Sequence, residues 1–257
     1  EIAEWRRDIH AHPELMFDTH RTAALVADKL RAFGCDEVHE GIGRTGVVGV
    51  IRGKSDNAGR VVGLRADMDA LPIQEATGLG YASQNPGKMH ACGHDGHTAM
   101  LLGAARYLAE TRNFDGHAVV IFPPAEEGGG GAKVMVDEGV LDLFGVQEVY
   151  GLHKWPGLPA GEFAIRSGAI FASTDQFRGT VEGRGGHAAN PQDTVDSALV
   201  ASHIVVALQS IVARNADPVD QVVVSVTGIR TETDTHNVIS QRTFLQGTVR
   251  SLRAETR

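Results

Sequence analysis

The sequence predicts an α/β domain over residues 1–170, followed over residues 171–257 by the opening of a ferredoxin-like α+β sandwich. Three observations predict it. Short β-branched runs alternate with helical patterns through the first part. Polar, glycine-rich loops follow the ends of the apolar runs, where open α/β sheets carry their chemistry. After residue 170 the pattern changes to strand, long helix, strand, strand, which is how a ferredoxin-like sandwich begins.

The first 34 residues read as helix, because Ala23, Ala24, Leu25, Ala27, Leu30 and Phe33 recur at helical spacing and Gly34 is placed to end it. Strands follow at 46–51 and 61–64, each bounded by glycine. The second leads straight into Asp67-Met68-Asp69-Ala70-Leu71-Pro72. A Gly/Asn/Pro-rich loop at 78–88 precedes residues 90–108, which turn helical from about His97. A strand at 118–122 ends at Pro123-Pro124 and delivers Glu126, Glu127 and four glycines. A helix at 132–138 and a strand at 148–152 then deliver His153. Beyond residue 170, positions 174–181, 221–229 and 242–249 read as strands and 194–212 as a long amphipathic helix. A ferredoxin-like sandwich needs one more helix and strand, so the second domain is expected to be incomplete at the C-terminus.

Composition narrows the function classes. A net charge of −8 with no Lys/Arg-rich block argues against a nucleic-acid partner, since phosphate binding needs a basic footprint. The longest apolar stretch, 198–213, is interrupted by Ser202, His203, Gln209 and Ser210. Spanning a bilayer takes roughly 20 nearly continuous apolar residues, so a globular helix and no membrane partner are expected. The N-terminus lacks the apolar core of a signal peptide. Two cysteines suit a reducing compartment, and a cytoplasmic location is expected.

The densest chemical signal is His90-Ala-Cys92-Gly-His94-Asp95-Gly-His97, with three histidines, a thiol and a carboxylate within eight residues. Thiolate and imidazole are zinc-type ligands, although a helix start capped by Asp95 uses the same letters. Glu126-Glu127 offers one carboxylate for a cation and a neighbour for the attacking water; a solvated acidic turn is the plainer alternative. His153, at the end of an apolar strand, reads equally as a ligand or as a hydrogen-bonded structural residue. The coincidence decides: successive strand ends carry Asp67 and Asp69, Glu126 and Glu127, and His153, as a metal cleft on one sheet edge requires. His187, on a glycine-rich loop, Asn237 and Arg250 stay open between substrate contacts and solvated positions.

Together these segments resemble the aminoacylase, hippurate hydrolase and auxin-conjugate amidohydrolase group of two-metal peptidase-like enzymes. The matching stretches are Arg6-Arg7-Asp8-Ile9-His10-Ala11-His12-Pro13-Glu14-Leu15, Arg65-Ala66-Asp67-Met68-Asp69-Ala70-Leu71-Pro72-Ile73, His90 through His97, Pro124-Ala125-Glu126-Glu127-Gly128-Gly129, Gly151-Leu152-His153 and Gly185-Gly186-His187-Ala188-Ala189. They run in family order and cover nearly the whole chain. The resemblance implies a catalytic domain whose mixed sheet is flanked by helices, with an inserted ferredoxin-like lid and dimerisation domain. It implies two divalent metal ions per subunit, with Cys92 bridging them and His94, Glu127 and His153 completing most of the coordination. Glu126 would be the general base and Asp69 a carboxylate steadying a ligand. His187 would stabilise the oxyanion in the partner's cleft of a homodimer, and Asn237 and Arg250 would hold the substrate carboxylate or carbonyl. Pro123 and Ser240 depart from the family pattern, which has Gln and Pro there. The resemblance implies one more metal-binding His, which the family takes from a C-terminal segment and which would be expected beyond Arg257.

The expected reaction is hydrolysis of the amide bond of N-acyl amino acids, with Zn²⁺ favoured by ligand softness and Mn²⁺, Co²⁺ or Ni²⁺ admitted by the resemblance. A dipeptidase or carboxypeptidase with the same metals is the rival within enzymology. A non-catalytic dimeric metal-binding protein is the rival outside it.

Overall fold

The computed structural model describes residues 1–257, which divide into two compact units, Glu1–Gly157 and Leu158–Arg257. The helical pattern at the N-terminus is realised as two helices, α1 (Ile2–Ala11) and α2 (His20–Ala32), not one. Pro13 stops the first, because proline disfavours helical geometry in the residue before it and lacks the N–H the helix needs. Glu14 starts the second: its carboxylate accepts the main-chain N–H of Arg21 (2.9 Å) and of Thr22 (2.8 Å) and the Thr22 hydroxyl (2.9 Å). A carboxylate on the open amides of a helix N-terminus is favoured by both hydrogen bonding and the helix dipole.

A five-stranded sheet follows: β1 (Glu37–Ile42), β2 (Gly46–Arg52), β3 (Val61–Arg65), β4 (His117–Phe122) and β5 (Glu148–Gly151). Their order is β1-β2-β4-β3-β5, antiparallel on the β1–β2–β4 side and parallel from β4 through β3 to β5. Helix α3 (His94–Thr111) joins β3 to β4, and α4 (Gly131–Asp137) with α5 (Val140–Leu143) joins β4 to β5. Strand alternation splits the core. Val47, Ile51, Ala118, Val120 and Phe122 face α1, α2 and α3, while Val48, Val119 and Ile121 face Met135 and Val140. Gly49 lets α2 lie close, since a Cβ there would stand 2.9 Å from Val120 and 3.0 Å from Leu30.

The second unit holds β6 (Ser173–Glu182), α6 (Ser197–Ser210), β8 (Val222–Thr231) and β10 (Arg242–Ser251), with a small ladder of β7 (Gly186–His187) and β9 (Val238–Ile239). The three long strands pair antiparallel in the order β6-β10-β8, the arrangement of the first three strands of a ferredoxin-like sandwich. Asp196 caps α6 by accepting from the N–H groups of Ala198 and Leu199. The run Ser197–Asn215 is long and apolar enough to cross a membrane by length and composition alone, yet α6 packs against all three long strands.

Leu30 is fully buried where α2 meets the sheet. Replacing it with alanine should destabilise the first unit by about 2–5 kcal/mol, read from urea unfolding followed by tryptophan fluorescence. A cost below ~1 kcal/mol would contradict the packing described.

Candidate metal centre

Because β3, β4 and β5 run parallel, their C-terminal ends share one edge of the sheet. Asp67 and Asp69 follow β3, Glu126 and Glu127 follow β4, and His153 follows β5. The start of α3 adds Cys92 and His94 to the same place. The donor atoms of Cys92, His94 and His153 all lie within 4.8 Å of one another, as do those of His94, Glu126 and Glu127. His94 is the hub: its Nε2 stands 3.7 Å from Glu127 Oε1 and 3.8 Å from Glu126 Oε2, and its Nδ1 3.5 Å from Asp69 Oδ1. Cys92 Sγ is 3.5 Å from His153 Nε2. All four residues expected to bind metal, and both residues expected to serve catalysis, are therefore brought together.

Asp69 shapes the loop after β4. Its two oxygens accept the main-chain N–H groups of Glu126 (2.9 Å) and Glu127 (3.1 Å). The preceding residue, Ala125, is held at φ 52, a left-handed conformation that costs a non-glycine residue of order 1 kcal/mol. Its N–H bond to Met16 O and the bonds of Gly129 and Gly131 back to its own carbonyl keep it there. The turn points the two adjacent carboxylates differently: Glu127 is 17 % exposed and Glu126 is 44 % exposed.

Buried polar atoms normally find partners. Here both ring nitrogens of His94 and Oε1 of Glu127 are buried without a hydrogen bond, which is the condition of ligand atoms waiting on a cation. His153 is prepared similarly: its Nδ1 donates to the Lys154 carbonyl at 2.6 Å, so Nε2 carries the lone pair that faces Cys92. His90, also buried without a hydrogen bond, lies outside this donor set.

The electrostatics agree. Burial pulls the His94 pKa down, but the nearby Asp69 and Cys92 side chains and the charge of Asp67 outweigh it and raise it to about 11. The cluster therefore favours positive charge at its centre. Burial pushes Glu127 up, with the charges of Glu126 and Asp69 adding and His94 opposing. Asp67 goes the other way, to about 2: burial resists, but the His97 hydrogen bond and the charges of His94 and Arg65 win.

Asp67, His97 and Asp95 form the supporting layer. None stood among the expected site residues, although Asp67 was legible as a strand-end carboxylate. Asp95 is fully buried and holds Arg6 Nε at 2.6 Å and His10 Nδ1 at 2.8 Å, so α1 is anchored behind the metal loop. In the second unit, His187 and Asn237 meet at the short ladder, where Ala188 N–H donates to Asn237 O. Arg250 lies apart from them on β10, its guanidinium on Thr248 Oγ1 and Val249 O.

The model of peptidase family M20/M25/M40 matches residues 63–248. Hippurate hydrolase of Campylobacter jejuni subsp. jejuni is 48% identical over 257 residues, spanning 100% of this chain and 66% of the relative. Thermostable carboxypeptidase 1 of Saccharolobus solfataricus is 45% identical, over 98% of this chain and 65% of its own length. N-acyl-L-amino acid amidohydrolase of Geobacillus stearothermophilus is 44% identical, over 98% and 67%. The chain thus spans about two thirds of the length of these relatives. Among solved structures, one from methicillin-resistant Staphylococcus aureus aligns with a TM-score of 0.86 at 40% identity, over 99% of this chain and 67% of that one. The Bacillus subtilis YXEP protein, a dinuclear metal binding peptidase, aligns with a TM-score of 0.77 at 36% identity, over 99% and 64%.

The two thiols should separate chemically. Burial pushes Cys35 up to about 11, which leaves only a trace of thiolate at pH 8, whereas Cys92 lines the cluster and is half-buried. With a chromogenic disulfide at pH 8, one thiol of the native chain should react quickly and the other only after unfolding. Cys92→Ser should remove the fast phase; its survival would contradict the assignment.

Proposed function

The chain belongs to peptidase family M20/M25/M40, and from that premise we propose that it hydrolyses the amide bond of N-acyl amino acids, releasing a carboxylic acid and an amino acid. The observation that carries this reading is Glu126: a half-exposed carboxylate, its main chain pinned by Asp69, beside His94, whose two buried ring nitrogens have no hydrogen-bond partner. The names of two relatives, hippurate hydrolase and N-acyl-L-amino acid amidohydrolase, support the substrate class. A carboxypeptidase reading is favoured by the 45% identical archaeal relative and differs only in what lies on the acyl side of the bond.

Cys92, His94, Glu127 and His153 would hold two divalent ions, with Zn²⁺ favoured by the thiolate. Such ions, when bound, polarise a carbonyl and lower the pKa of water toward neutrality. Glu126 removes the proton of the attacking water and returns it to the amine nitrogen as the C–N bond breaks, serving as base and then acid. Asp69 keeps both Glu126 and Glu127 in register through their amides. His187 would stabilise the oxyanion, and Asn237 and Arg250 would bind the substrate carboxylate or carbonyl. The second unit would serve as lid and homodimer contact, consistent with Leu199, Val200, Ile204 and Val206 exposed on α6.

Parallel rates on hippurate, N-acetyl amino acids and dipeptides test the substrate class; faster turnover of dipeptides would replace it with the peptidase reading. Glu126→Ala should lower kcat by about 10²–10⁴-fold with metal content unchanged. Near-normal turnover in that variant would remove Glu126 from the mechanism. Cys92→Ala should lower bound metal, measured by elemental analysis, as well as rate.

A further inference from the structure

The residue after His153 makes contacts that the hydrolytic reading does not use. The main-chain N–H of Lys154 donates to His97 Nε2 at 3.0 Å, and its carbonyl accepts from His153 Nδ1 at 2.6 Å. Its side chain crosses the start of α3. A Cβ added at Gly93 would stand 2.5 Å from Lys154 Cε, and one at Gly96 would stand 2.5 Å from Nζ and 2.8 Å from Cε. The ammonium ends 3.5 Å from Asp95 Oδ1. Main chain, stem and charge of one residue are thus all seated on the loop that carries Cys92 and His94.

His97 completes the arrangement. Its ring is buried, with Nδ1 2.7 Å from Asp67 Oδ1. Since Nε2 accepts the Lys154 N–H, the ring proton sits on Nδ1 and is donated to Asp67. Both nitrogens are spent, so His97 has no lone pair left for a cation, although it lies among the metal-friendly groups. Its ring centre is 4.6 Å from that of His153 and 5.3 Å from that of His94. It packs against both ligand imidazoles.

We propose that Lys154 and His97 form a positioning clamp that holds the His153 segment against the Cys92–His97 loop and so sets His153 opposite Cys92. The geometry stands by itself; its consequence for metal affinity rests on the metal reading above. The stem and the main chain carry most of the effect. Asp95 already has Arg6, His10 and the Gly96 N–H as partners, and Lys154 is partly exposed, where an ion pair contributes little. The glycines at 93 and 96 then have a reason beyond loop flexibility: they leave room for the Lys154 stem.

The test is a double-mutant cycle on the 257-residue chain, read by Zn²⁺ affinity in competition with a chromophoric chelator. Lys154→Ala and Gly96→Ala should each weaken Zn²⁺ binding about tenfold, within the range found for residues that orient ligands. Gly96→Ala added to Lys154→Ala should cost less than about twofold more, because the stem it displaces is already gone. Lys154→Met, which keeps the stem, should stay within about twofold of the parent. Amide hydrogen exchange on the metal-free chain reads the clamp directly. The Lys154 amide should exchange at least about tenfold slower than an open amide, and His97→Phe, with folding checked by thermal melting, should abolish that protection. Additive losses in the cycle, or an unprotected Lys154 amide in the parent, would overturn the clamp. If the parent bound no Zn²⁺, the metal reading would fall, and the exchange result alone would decide the clamp.

Discussion

The site depends on one carboxylate with two adjacent amides. Asp69, delivered by β3, accepts the N–H groups of Glu126 and Glu127, delivered by β4, and stands 3.5 Å from His94 at the start of α3. Charge-assisted bonds to main-chain N–H groups are strong and directional, and two of them on consecutive residues fix a peptide plane. That plane decides which carboxylate turns inward among the ligands and which stays at the rim. Just before it Ala125 is left-handed, a conformation the sequence would not choose unaided. Without Asp69, Glu126-Glu127 would be the solvated acidic turn that its composition suggests.

The charge distribution follows from the same crowding. Asp67 is neutralised by Arg65 at 2.9 Å and by the His97 proton. Asp69 is satisfied by amides. What remains unbalanced is Glu126, Glu127 and the Cys92 thiol around His94. Glu127 Oε1 and the His94 ring nitrogens, buried beside one another without hydrogen bonds, are unfavourable unless a positive charge occupies the centre. The elevated His94 pKa expresses this demand, and a divalent cation with soft ligands meets it more fully than a proton does.

Much of this was legible in the sequence, for identifiable reasons. The strand ends bearing Asp69, Glu126, Glu127 and His153 follow apolar runs long enough to be read by composition. The β-α-β-β order of the second unit is likewise plain in its periodicity. The strand β1 escaped notice because Glu37-Val-His-Glu-Gly-Ile has no apolar run: it is an edge strand and only half-buried. The ladder of β7 and β9 is two residues deep, below any period. The start of α3 at His94, earlier than the pattern suggested, is masked by Gly93 and Gly96, which read as loop. Lys154 was invisible for the converse reason. A lysine after a strand reads as a solvated end, and only the glycines beneath it show that its stem is enclosed.

The centre therefore belongs to the sheet more than to its loops. Its donors come from positions 92–94, 126–127 and 153, separated by two crossovers, and meet only if β3 pairs with both β4 and β5. Pairing parallel strands across such separations is entropically costly, and no single loop can form the site alone. It follows that a cation bound by these residues stabilises the registered sheet as a whole, by the linkage that couples any native-state ligand to folding. Conversely, a slip between β3 and β4 would separate Asp69 from the Glu126 and Glu127 amides and dismantle base and ligand together. Register and chemistry are one constraint in this unit, which is why its central strand β4 is fully apolar from Ala118 to Phe122.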